Sequence, residues 1–197
     1  MGARVFDDAW RDAPPDPEPW RWSWRAGLLS EALAALRPGA RWLDLGCGAG
    51  RFLTLAPGGI GVDVAPAALE RARANAPGAE LRRLDDADGA LPLAHGEVEL
   101  VWCSETIEHV ADALGLLQDL RRVLAPGGRL LLTTPAHPRL RRTAIALLRF
   151  DEHFDPMGQH VRFFTARSLA RTLEAAGLAA EGVTTAHATL VARAARH

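Results

Sequence analysis

Short apolar runs alternate with amphipathic stretches along most of this chain. "RWLDLG" at 41–46, "GIGVDV" at 59–64, "AELRRL" at 79–84, "VELVWCS" at 98–104 and "RLLLTTP" at 129–135 read as strands. The fourth is almost continuously apolar, as a strand covered on both faces must be. Between them the apolar positions recur at helical spacing. Leu28, Leu29, Ala32, Leu33 and Leu36 form one stripe over 25–37, ended by Pro38 and Gly39. Pro66 opens a helix that runs to about Ala76. Leu114, Leu117, Leu120 and Leu124 predict a helix over 112–124 that stops at "APGG". A helix over 166–176 ends at Gly177, and two β-prone stretches follow at 178–185 and 188–194. Strands alternating with helices predict an α/β fold, a doubly wound parallel sheet with helices on both faces.

Two segments escape this alternation. Residues 1–25 read as an irregular N-terminal arm, because the proline cluster forbids a helix through 14–19. Within it Trp20, Trp22 and Trp24 repeat at period two, as an edge strand or arm against the core would, or as an aromatic lid over an acceptor pocket. The connection 136–165 exceeds ordinary loop length, so it reads as a lid insertion, with "LRRTAIALLRF" as its helix. The expectation is a single domain over 1–197 carrying these two additions.

Composition narrows the function classes. A formal net charge of −1 offers no global positive field for nucleic acid or a membrane surface. No apolar run approaches the roughly 18 residues of a membrane span. The N-terminus "MGARVFDDAW" lacks an apolar signal core, which predicts a cytoplasmic protein. Monomer and homodimer both stay open. Cys47 and Cys103 sit in Gly-rich or apolar context and read as reduced small hydrophobes. All basic residues are arginine, so no lysine can serve as base or phosphate clamp.

The richest chemistry follows the first strand. In "WLDLGCGAGRF" a buried strand ends in Gly46, Gly48 and Gly50, which allow a tight turn and close approach of backbone to a ligand. In open α/β sheets ligands bind beyond the carboxyl ends of the strands, where this loop lies. The dinucleotide fingerprint is G-x-G-x-x-G; here the third glycine comes one position early and Asp44 precedes the loop. That spacing suits S-adenosylmethionine, which has no phosphate and carries an ammonium.

"LDLGCGAG", "GVDV", "LDDADGALPL", "VWCSETIEHV" and "LAPGGRLLLTTP", in this order and spacing, resemble the class I S-adenosylmethionine-dependent methyltransferases over about residues 28–194. The resemblance implies a Rossmann-like, mostly parallel sheet with an antiparallel last strand, and S-adenosylmethionine as cofactor. It implies that Gly46, Gly48 and Gly50 flank the methionine part and that Asp44 holds the amino group. Asp63, with Val64 beside it, would take the ribose hydroxyls. Asp86 and Ala87 would flank the adenine, and Ser104 would lie near the cofactor. The chain departs from the family in "RFLTLAPGG", which leaves room for a first crossover helix of only about two turns.

Three readings of "SETIEHV" stay open. If the segment is helical, Glu105, Glu108 and His109 share a face. In the first reading Glu108 and His109 are an acid/base pair that takes the acceptor's proton. In the second, Glu105, Glu108, His109 and the downstream His160 of "QHVRFFT" bind a divalent metal such as Mg²⁺ or Mn²⁺; "ExxEH" resembles ubiquinone-pathway O-methyltransferases and also small-RNA 3′-end 2′-O-methyltransferases. In the third they are a solvated helix start with one buried carboxylate. His137 and His153 could reach the site from the insertion, whose Arg139, Arg141, Arg142 and Arg149 read either as a preference for an anionic acceptor or as a solvated helix face. His95, His187 and His197 read as surface residues.

The expectation is a methyltransferase acting on a small-molecule acceptor, at an oxygen, with no nucleic-acid or membrane partner. The rival readings are an RNA 2′-O-methyltransferase, a non-catalytic S-adenosylmethionine-binding protein and a nucleotide-dependent dehydrogenase.

Overall fold

All seven stretches read as strands are strands in one sheet. The computed structural model describes residues 3–13, 21–138, 143, 145, 147–148 and 161–197. Its elements are helix α1 (Ala3–Asp12), α2 (Trp22–Ala34), β1 (Trp42–Leu45), a 3₁₀ turn η1 (Phe52–Leu55), β2 (Gly59–Asp63), α3 (Pro66–Asn75) and β3 (Glu80–Arg83). Then come β4 (Val98–Ser104), a second 3₁₀ turn η2 (Ile107–His109), α4 (Ala113–Val123), β5 (Leu124–Pro135), α5 (Ala166–Ala175), β6 (Ala179–Ala186) and β7 (Thr189–Ala195). The sheet order is β3-β2-β1-β4-β5-β7-β6. β3, β2, β1, β4 and β5 run parallel, and β7 lies antiparallel between β5 and β6.

The strand period of two sorts side chains onto two faces. Leu43, Leu45, Val101, Cys103, Leu130 and Leu132 face Leu117 and Leu120 of α4 and Leu169 and Leu173 of α5. Trp42, Leu100, Trp102 and Leu131 face Leu29 of α2, Phe52 and Leu53 of η1 and Leu69 of α3. Each fully buried large apolar side chain stabilises the fold by about 1.5–3 kcal/mol. Helix ends are set locally. Asp112 accepts from Gly115 N at 2.9 Å to start α4, and Thr165 and Ser168 form a reciprocal capping box at α5. Among the described residues no helix is long and apolar enough to cross a membrane.

Four expectations need correction. The arm is not irregular throughout, because residues 3–12 form α1. Trp22 and Trp24 belong to α2 rather than to an edge strand: Trp22 stacks on Phe52 and Trp24 meets His187 at the β6–β7 turn. Trp20 lies outside the described residues. The first crossover holds only the single turn η1, with Phe52 packed on Trp102 in place of a longer helix. β5 begins at Leu124, directly after α4, because Leu124 already pairs with Val98 across an irregular step in the β4–β5 register. In the 136–165 insertion, positions 143, 145, 147 and 148 are helical. Arg139, Arg141, Arg142, Arg149, His153 and His160 lie outside the described residues.

Candidate active site

β1, β2 and β4 end at one pocket of about 270 Å³. Leu45 and Gly46 line it from the end of β1, and Val62, Asp63 and Val64 from β2. Leu84 and Ala87 follow β3, Glu105, Thr106, His109 and Val110 follow β4, and Leu116 comes from α4. Phe6, Ala9 and Trp10 of α1 complete it. A larger groove of about 710 Å³ runs between α2 and the β5–β7 part of the sheet, lined by residues such as Arg37, Glu99 and Arg193; none of the catalytic, cofactor or metal residues expected from the sequence lines it.

The glycine loop closes the pocket floor through backbone geometry. Gly46 N and Cys47 N both donate to Val62 O, at 2.8 and 3.1 Å. Gly46 has φ +71°, and a Cβ there would collide with the Thr106 side chain. Gly48 has φ +52°, and a Cβ there would meet the ring of Trp10. Both positions require glycine for conformation and for space.

The two acids expected at the cofactor differ in their surroundings. Asp63 Oδ2 accepts from Gly48 N and Oδ1 from Ala65 N, both at 2.9 Å. These bonds tie the glycine loop to the start of α3 and leave lone pairs on a carboxylate that lines the pocket. Burial raises its pKa, and the backbone donors oppose that shift. Asp44 is 1% exposed, and its Oδ2 has no hydrogen-bond partner among the described residues. Burial, reinforced by the nearby charge of Asp63, pushes its pKa up to about 8. An unsatisfied buried carboxylate is costly unless a cation or a proton joins it. Asp44 lies beneath the loop rather than on the pocket surface.

Asp86 is exposed and shapes its own turn, with Asp88 N donating to its Oδ1 at 3.3 Å and Gly89 N to its carbonyl at 2.9 Å. Ala87 lines the pocket. Ser104 Oγ is 2.9 Å from Thr133 Oγ1, and Gly48, Gly50 and Ser104 are off the pocket wall.

The Glu-Glu-His cluster does not share a helical face, which corrects that expectation. Glu105 has φ +52°, a strained left-handed conformation for a non-glycine residue. Its N–H donates to Thr133 O at 2.9 Å, and its Oε1 pairs with Arg25 Nη2 at 2.7 Å. Arg25 is itself buried; desolvation lowers its pKa to about 10, and the charge of Glu108 opposes this. Glu108 points inward at 1% exposure, where its Oε2 accepts from Thr134 Oγ1 at 2.9 Å. Val161 N and Arg162 N donate to its carbonyl at 2.9 and 3.0 Å. His109 turns the other way, onto the pocket, with Phe6 edge-on at 5.8 Å between ring centroids. Among the described residues no three His, Cys, Asp or Glu side chains are grouped to hold a metal ion; His160, expected to join such a group, lies outside those residues.

Sequence reasoning missed α1. Phe6, Ala9 and Trp10 stand at i, i+3 and i+4, the spacing of one helical face, and that signal was present in "VFDDAW".

The family profile described as "Methyltransferase domain" matches residues 21–182. With the sheet order and the loop geometry above, the chain belongs to the class I S-adenosylmethionine-dependent methyltransferase family. A 37.1 kDa protein of a Streptomyces fradiae transposon is 42% identical over 118 residues, 55% of this chain and 33% of its own length. The ubiquinone biosynthesis O-methyltransferase of Dinoroseobacter shibae is 34% identical over 149 residues, 71% of this chain and 60% of its own length. The chain thus spans less than two thirds of these relatives. An S-adenosylmethionine-dependent methyltransferase structure from Mesorhizobium loti shares the fold, with TM-score 0.64 and 23% identity over 84% of this chain and 96% of that one.

Proposed function

We propose that this domain transfers a methyl group from S-adenosylmethionine to an oxygen of a small-molecule acceptor, with His109 as general base. The observation that carries this reading is one pocket flanked by a carboxylate and an imidazole from the two strands on either side of β1, Asp63 at the end of β2 and His109 after β4, above the unsatisfied carboxylate of Asp44.

The residues fit the cofactor on physical grounds. The orphaned oxygen of Asp44 calls for a cation such as an ammonium, and the Gly46 turn leaves backbone where any side chain would intrude. Asp44 would hold the amino group, Asp63 the ribose hydroxyls, and Val64 and Ala87 the base. When bound, S-adenosylmethionine supplies an electrophilic methyl group on a sulfonium.

The chain's own residues then have distinct tasks. His109 takes the proton of the acceptor hydroxyl, a role matched to imidazole near neutral pH. Phe6 limits the imidazole's motion on one side. Arg25 fixes Glu105 on the pocket wall and keeps that carboxylate paired, so it does not compete for the proton. Glu108 acts as a positioning residue, holding Thr134 and the segment at 161–162 in place. The "ExxEH" resemblance and the name of the Dinoroseobacter relative support oxygen as the methylated atom.

The test is formation of S-adenosylhomocysteine from S-adenosylmethionine across a panel of phenols, catechols and carboxylic acids, with short RNA as a separate arm. Hydroxyl-dependent turnover that is lost in His109→Ala supports the proposal. Turnover on RNA alone, or cofactor binding without turnover on any acceptor, overturns it.

A further inference from the structure

Beyond the contact of Phe6 with His109, the N-terminal helix lines one side of the pocket. α1 contributes Phe6, Ala9 and Trp10 to the wall, across from Gly46 and Asp63. The Trp10 ring occupies the space a Cβ of Gly48 would need, so the loop's glycine and the helix's tryptophan fit each other. Phe6 meets His109. One helix therefore spans the cofactor loop and the proposed base.

Its attachment is specific. The residue at the N-terminal boundary of α3 is Ala65, which has no side-chain oxygen to satisfy the helix's first N–H groups. Asp7 of α1 supplies that oxygen from elsewhere in the chain: its Oδ1 accepts from Ala67 N at 2.8 Å, and the residue is 8% exposed. Asp63 takes the neighbouring Ala65 N. The first turn of α3 thus connects the carboxylate that anchors α1 with the carboxylate on the pocket wall. Arg71, farther along α3, donates to Ala13 O at 2.9 Å and lies over the Trp10 ring at 5.8 Å.

We propose that α1 is the roof of the methyl-transfer site, latched to α3 by Asp7, with Trp10 and Phe6 as contacts that close over bound cofactor and keep water from it. This rests on the reading of the pocket as the S-adenosylmethionine site. With α1 seated, the pocket's volume of about 270 Å³ falls just below that of ordinary ligand pockets, about 300–1,000 Å³, so occupancy and the seating of α1 are coupled. Water exclusion favours methyl transfer to the acceptor over loss of the methyl group to solvent.

Hydrogen exchange of the full chain with and without S-adenosylhomocysteine tests the roof, and stopped-flow release of the same ligand tests the latch. The expected result is slowed exchange both at Gly46–Gly50 and in α1 on binding. In Asp7→Ala the α1 protection is lost and release is about fivefold faster, the size of a missing helix cap. Asp7→Asn keeps an acceptor oxygen and restores most of the wild-type rate. Thermal midpoints of both variants show whether the core is folded. Slowed exchange at Gly46–Gly50 with α1 unchanged, or a wild-type release rate in folded Asp7→Ala, overturns the roof while leaving the pocket reading intact. No binding to wild-type protein overturns both.

Discussion

Two groups of acidic residues behave in opposite ways in this molecule. Before β4, Glu97 sits within a closed network. Arg41 Nη1 is 2.7 Å from its Oε1, Arg82 Nη1 is 3.0 Å from its Oε2, and Ala94 N donates to it at 2.7 Å. The Arg82 hydrogen bond is the chief cause that holds its pKa down at about 2. At the pocket end, Asp44 and Asp63 are more deeply buried, form no ion pair with arginine among the described residues, and are shifted upward. The fold satisfies the first group by itself. The second group is arranged so that an outside cation and hydroxyl donors would complete it. On the proposed reading, carboxylates that stabilise and carboxylates that would bind differ in the direction of their shift and in what the fold itself satisfies.

The comparison is broken first by removing chemistry rather than binding. His109→Ala is expected to lower methyl transfer by about 10²–10⁴-fold, the usual contribution of a positioned base, with cofactor affinity nearly unchanged. Steady-state rates alongside calorimetry check this split. Next, Asp63→Ala should weaken cofactor binding by about 1–3 kcal/mol, since Gly48 N and Ala65 N lose their acceptor together with the ligand's hydroxyls.

The pH responses of the two regions have opposite signs. Glu97 is held below its ordinary value of 4.5, so its stabilising contribution is present above that pH and is lost as pH falls toward 2. Glu97→Gln should cost about 1 kcal/mol of stability at neutral pH, with no change in cofactor affinity, and should flatten the acid limb of a melting-temperature profile. Asp44 is held above its ordinary value of 3.8, so its contribution is full below that value and is lost as pH rises through about 8. Asp44→Asn should remove that decline, which lies between the ordinary value of 3.8 and about 8, from the free protein. The smallest expected effect concerns metal. Because Glu105 is paired with Arg25 and Glu108 is held by Thr134, turnover should persist in chelator; loss that divalent ions restore would revive the metal reading.

How much of this was legible follows from where the information lies. β1 and β4 could be read from "WLDLG" and "VELVWCS" because alternation and apolar runs are local properties. The glycine loop and Asp63 could be read because their spacing is carried in two short motifs. α1 carries a weaker local signal, the helical spacing of Phe6, Ala9 and Trp10 alone. A ten-residue helix is marginal by itself, and what supports this one is distant: the first turn of α3, reached by Asp7, and Gly48, reached by Trp10. The left-handed backbone of Glu105 was hidden for a similar reason, since Arg25 and the Thr133 carbonyl that hold it are 80 and 28 positions away in the chain. Helical spacing in "SETIEHV" suggested one shared face, whereas tertiary contacts split the cluster between core and pocket.

The contrast between the two regions depends most on Asp44, so the decisive measurement is proton linkage. Titration of S-adenosylmethionine into wild-type protein at pH 7, in buffers of different ionisation enthalpy, counts protons exchanged on binding. A carboxyl with a pKa of about 8 that meets an ammonium should release most of one proton, and Asp44→Asn should release none from this site. Binding to wild-type protein with no proton release would contradict the account of Asp44 as the cation's partner.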